Sequence, residues 1–128
     1  MSIRSVYMVT LAFTLACASS GGAGSSAPPP DRNLLTEDQI DAISVTSAYE
    51  AVERLRPMFL KTRGRSTINA GGSEYASVFV DGQFYGDLSS LRNIIASQVR
   101  EIRYLSGPDA VTKYGMRYGS GAIDVRIK

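Results

Sequence analysis

Residues 77–128, SVFVDGQFYGDLSSLRNIIASQVREIRYLSGPDAVTKYGMRYGSGAIDVRIK, leave this chain few ways to fold. Apolar residues flank the Asp81-Gly82 pair on both sides, and Asp-Gly between such runs is the strongest short-range hairpin signal. Leu88, Leu91, Ile94 and Ile95 recur at helical spacing, which predicts a one-sided helix capped by Asp87. The run from Val99 to Ser106 predicts a strand carrying Arg100 and Arg103 outward. A short helix follows, punctuated at both ends. Pro108 suits its first position, Asp109 its positive start, and Gly115 the left-handed residue beyond its end. The last stretch alternates strictly, so Ile123, Val125 and Ile127 should share one face, and Asp124, Arg126 and Lys128 the other. Tyr104 and Tyr114 are expected to help fill the core, and Tyr118 to sit exposed in a loop.

The folded domain is expected to begin near Leu34. Thr36-Glu37-Asp38-Gln39 has the capping-box form and opens a short helix with Ile40 and Ile43 on its apolar face. Ser47-Ala48-Tyr49-Glu50 repeats the device. Ala48, Ala51, Val52 and Leu55 then recur at the spacing of a second amphipathic helix, which Pro57 ends. Residues 58–61 predict a short strand, and the Gly-rich stretch 62–73 a loop. Arg54, Arg56, Lys61, Arg63 and Arg65 meet no acid between Glu53 and Glu74. They read as a solvated face running into a loop, or as a surface for anionic headgroups or an acidic partner. The expected fold is α+β, a short mixed sheet with short helices, and the length of 128 residues allows one domain at most.

The order of these pieces resembles the plug domain of TonB-dependent outer-membrane receptors. The matching positions include Val80, Asp81, Gly82, Val99, Ile102, Gly107, Pro108, Ala110, Tyr114, Gly115, Gly119, Gly121, Ala122, Ile123, Val125 and Lys128. The likeness covers residues 35–128 and is looser in the first half, where Leu55-Arg56-Pro57-Met58 stands in place of the family's Leu-Pro-Gly-Val turn. The resemblance implies a plug-like domain over residues 34–128. In the family, a plug is followed by a transmembrane barrel that it blocks. This sequence carries no barrel strands, so alone it is not expected to form a channel. Nor does the N-terminal segment show an apolar-acidic TonB-binding motif.

Ahead of the domain, residues 1–16 have the positive start and apolar core of a signal peptide, too short for the roughly 20 apolar residues of a membrane span. Thr14-Leu15-Ala16-Cys17 resembles a bacterial lipobox, with Thr14 where leucine is commoner, and makes Cys17 the expected lipidation site. The alternative is ordinary secretory cleavage. Residues 17–33 are Gly, Ser, Ala and Pro with few large side chains, a composition that favours a flexible tether. Ala18 after the cysteine implies sorting to the outer membrane.

Catalysis finds few candidates. The chain has no histidine, and its single cysteine lies outside the fold, so His/Cys zinc sites and Cys-His nucleophiles lack their residues. Asp81 and Asp87 are better explained as turn and cap residues than as an acid/base pair. Glycines 115, 119 and 121 do not form a phosphate loop. No cofactor and no metal are expected, and a net charge of +2 argues for no nucleic acid. Three expectations remain. The first is a non-catalytic, outer-membrane lipoprotein that binds another envelope protein or a receptor barrel in trans, with the C-terminal strand as an edge for strand addition. The second is a tethered small-ligand binder, with a pocket lined by tyrosines near residues 83–88 and 115–120. Tyr85, Tyr118, Arg63 and Arg65 are the candidate binding surface, and a relic of a full receptor is the third alternative.

Overall fold

Asp81 and Gly82 take φ angles of 49° and 82°, the two positive values that a tight hairpin turn demands. The turn joins β2 (Ser77–Val80) to β3 (Gln83–Gly86). In this computed structural model, which describes residues 30–62 and 73–128, three further strands complete the sheet. They are β1 (Leu34–Thr36), β4 (Val99–Leu105) and β5 (Ala122–Ile127). The order across the sheet is β1-β4-β5-β2-β3. Only β2 and β5 run parallel; every other neighbouring pair is antiparallel. The fold is a small α+β unit with a mixed sheet. The expected signal peptide, Cys17 and nearly all of the linker lie outside the described residues, as do Arg63 and Arg65.

Strand alternation sends two sets of side chains to opposite faces. Leu35, Val78, Val99, Ile102, Tyr104, Ile123 and Val125 meet one main core, closed by α1 (Glu37–Asp41) and α2 (Ala48–Leu55). Both helices begin as expected. Gln39 Oε1 accepts the Thr36 N–H at 3.5 Å, and Ser47 Oγ accepts the Glu50 N–H at 3.3 Å. Ala48, Ala51 and Val52 are fully buried. On the other face Phe79 and Ala122 form a smaller cluster under α3 (Gly107–Tyr114), with Ala110 buried at its centre.

Several expectations change. Residues 57–60 form a 3-10 helix and not a strand. Pro57 supplies the fixed φ that a helical turn uses, and the turn drives Phe59 into the core against Tyr104, ring centroids 5.1 Å apart. The helix expected from Leu88 is also a 3-10 helix, Leu88–Asn93. Its three-residue period brings Leu88, Leu91 and Ile94 inward and leaves Ile95 52% exposed. Asp87 precedes it without a side-chain cap bond. β1 was not foreseen, being three residues long. Gly115 has the expected positive φ, 109°, but its ψ of 168° lies outside the left-handed helical region.

The largest correction concerns β5. Expected as an edge open to strand addition, it is the centre of the sheet, paired with β4 on one side and β2 on the other. Its polar face is not uniformly solvated either: Asp124 is only 4% exposed, because α3 packs over that end of the strand.

Candidate functional site

One edge of the sheet lies at β3, and the other at β1. Gln83, Phe84 and Tyr85 are exposed, and β3 pairs with β2 alone among the described strands. Its outer backbone groups therefore face away from the sheet. The two aromatic side chains leave on opposite faces. Phe84, 56% exposed, meets Phe79 edge-on at 5.8 Å and Tyr118 at 6.0 Å. Tyr85, 48% exposed, is on the other side of the pleat. Residues 83–88 and 115–120 thus meet, as the tyrosine pocket required, but aromatic rings fill the junction. Phe79 stacks on Tyr114 at 3.7 Å and takes Tyr118 edge-on at 5.0 Å. Tyr118 is accordingly half-buried and not an exposed loop residue. Met116, beside it in sequence, is the most exposed large apolar residue described.

The glycines and their neighbours separate by position. Asp81 and Gly82 stand at one end of the sheet, where Asp81 Oδ1 accepts the Ile127 N–H at 3.3 Å. Gly107, Pro108, Tyr114, Gly115, Gly119 and Gly121 belong to α3 and the turns around it, at the other end. A Cβ on Gly107 would run into the Gly119 carbonyl, so the helix start and the turn before β5 abut at backbone distance. These are architectural roles. None of these residues converges with Tyr85.

A charged cluster lies beneath α3. Lys113 Nζ is 2.6 Å from Asp124 Oδ2 and 5.0 Å from the centroid of the Tyr114 ring. The hydrogen bond to Asp124 holds the Lys113 ammonium above its ordinary 10.5, although burial pulls the other way. Burial raises the Tyr114 hydroxyl above its ordinary 10.0, against the pull of Lys113. Asp124 Oδ1 and the Tyr114 hydroxyl have no hydrogen-bond partner among the described residues. Sequence reasoning missed the cluster because strict alternation sent Asp124 to solvent.

A cleft of about 480 Å³ opens elsewhere, lined by Tyr49, Leu60, Tyr75, Asp87, Leu88 and Arg92 among others. The Arg92 guanidinium sits 4.5 Å over the Tyr49 ring. Two aromatic rings with one cation and one anion could hold a small polar ligand. The sequence signal was present in Asp87 and the tyrosines, but not the fold that gathers them. No described group of three or more His, Cys, Asp or Glu side chains could hold a metal ion, and no described helix is long and apolar enough to cross a membrane.

No family model, no curated protein and no solved structure matches this chain.

Proposed function

We propose that this chain is a non-catalytic binding module of the bacterial envelope. It is a plug-like domain carried on a Gly/Ser/Pro tether and anchored to the outer membrane through a lipid on Cys17. It binds another envelope protein, a β-barrel among the candidates. The observation that carries the reading is the open β3 edge with its exposed Phe84 and Tyr85. A sheet edge offers a row of backbone donors and acceptors, and flanking aromatics add apolar area to a contact. The lipobox-like run ending at Cys17 and the plug-like motif order supply the location and the fold family of the proposal.

The test compares wild type with Cys17→Ala in a bacterial host by envelope fractionation, with cross-linking before lysis. The expected result is outer-membrane wild type cross-linked to an envelope protein, and a variant that is soluble or unprocessed. A soluble wild type without cross-links would sink the anchor and the module together. The small-ligand reading would then lead, with the Tyr49–Arg92 cleft as its structural basis.

A further inference from the structure

Natural sheet edges are commonly blunted by lysine, proline or an inward-pointing charge. β3 reads Gln83-Phe84-Tyr85-Gly86 and has none of these, although it is only four residues long and its pairing with β2 shifts register between Val78 and Phe79. What it has instead is an acid just beyond each end: Asp81 in the turn before it and Asp87 immediately after it. Both carboxylates belong to exposed residues. The sequence holds no lysine or arginine between Arg65 and Arg92, whereas the whole chain is net +2. Among the described residues the edge is thus a short unpaired ladder with a carboxylate beyond each end, Asp87 after it and Asp81 in the turn, where Asp81 Oδ1 also accepts the Ile127 N–H.

That arrangement selects its occupant. A second copy of the chain, pairing antiparallel about a two-fold axis, would bring Asp81 of each copy toward Asp87 of the other. Like charges so placed oppose the dimer. A strand with cations at its ends meets the same two carboxylates favourably. We infer that the β3 edge is a strand-addition site for an extended segment of a partner protein, apolar at alternate positions and flanked at both ends by lysine or arginine. The inference rests on the binding-module reading and names the surface and partner chemistry of that module. The added strand extends the sheet beyond β3 and covers Phe84 on one face and Tyr85 on the other.

The geometry also fixes which backbone groups are used. In a two-residue hairpin the closing pair, here Val80 and Gln83, exchanges its hydrogen bonds inward. Alternation turns the polar groups of Phe84 outward, so its amide is the reporter for an added strand.

The probes are three synthetic peptides that alternate valine and threonine: one with lysine at both ends, one with glutamate at both ends, and one with lysine ends and a central proline. The full mature chain, Cys17→Ala so that it stays in solution, is titrated with each. Binding is followed by calorimetry and by backbone amide exchange. The lysine-ended peptide is expected to bind about tenfold tighter than the glutamate-ended one at low salt, with the gap closing as salt is raised. It should slow exchange at Phe84, and the proline peptide should not. Asp81→Asn with Asp87→Asn keeps the side-chain shapes and should erase the preference. Tyr85→Lys, which adds a cation to the edge, should abolish binding of the lysine-ended peptide at an unchanged melting temperature.

Binding that ignores terminal charge, or protection that appears away from β3, would overturn the inference. So would a concentration-dependent dimer broken by Tyr85→Lys, since the occupant would then be a second copy. The module reading is scored separately, by photo-cross-linking from positions 75 and 85 in cells. Envelope partners captured from 75 and never from 85 remove the edge assignment and leave the module standing. Lysine-peptide binding at β3 with no envelope partner from either position does the reverse.

Discussion

Asp124 and Lys113 make a lopsided pair: the acid's side chain is 5% exposed and the base's 45%. Taking the partner from a buried carboxylate is expensive, while half-exposed partners are screened by water. Lys113→Met should therefore destabilise the domain by about 1–3 kcal/mol. Asp124→Asn, which removes the buried charge and keeps its shape, should cost less. Denaturant titration of the two variants checks the order; a costlier Asp124→Asn would show that the carboxylate has a role beyond the ion pair. The same cluster sets an alkaline limit. Lys113 and Tyr114 are both raised above their ordinary values of 10.5 and 10.0. Between the unfolded and folded values the native state binds more protons, so this stabilisation is complete below the unfolded values and is lost as pH rises through the folded ones. Lys128, raised by its hydrogen bond to Glu37, adds a loss of the same sign. Melting temperature should fall above about pH 10, and less steeply in Lys113→Met and Tyr114→Phe than in wild type.

Two glycines show how differently one backbone constraint can weigh. Gly82 has φ +82° and open space where a Cβ would go, whereas Gly121 has φ +102° and a Cβ would lie 2.7 Å from the Tyr104 hydroxyl oxygen and 3.0 Å from the Leu105 carbonyl oxygen. Gly82→Ala should cost about 1 kcal/mol from the backbone alone. Gly121→Ala carries that strain and a steric clash at the entry to β5, for roughly 2–4 kcal/mol in all. Chemical denaturation with unchanged slope would measure both; equal losses would mean that Tyr104 yields without cost. This contrast also marks what the sequence could disclose at the scale of elements. The Asp81-Gly82 hairpin, the Ser47 cap, the Pro108 helix and the alternation of Ile123 and Val125 rest on local chemistry and were legible. The 3-10 helices were not, because Leu88, Leu91, Ile94 and Ile95 fit a period of 3.6 as well as Leu88, Leu91 and Ile94 fit a period of three. The strand expected at 58–61 failed because burying Phe59 against Tyr104 decided that segment. Asp124 failed because the helix that covers it packs from outside its own strand. Tyr85 was legible as an exposed aromatic, but not as part of a sheet edge.

Edges are a property of the whole molecule, and this sheet assigns them against chain order. β5, the last strand, is inserted between β4 and β2, so the hairpin that comes before it is displaced to the rim. β3 stands at the rim because the centre is filled late in the sequence. Ile123 and Val125 are fully buried in the main core, and Ala122 in the smaller cluster on the opposite face. β5 therefore joins both apolar clusters as well as both halves of the sheet. Each large buried aliphatic contributes about 1.5–3 kcal/mol, against a net stability of about 5–15 kcal/mol for a domain. Losing the strand also strips hydrogen-bond partners from β2 and β4 together. Removing residues 122–128 should leave a chain without amide dispersion or a cooperative melt, even though every residue of β3 is still present. Strand-peptide binding at β3 should vanish with it, since an isolated hairpin is marginal in water. A truncated chain that kept its native spectrum would mean that β2 and β4 can close directly on each other. The sheet order would then fall, and with it the reason that β3 stands at the rim.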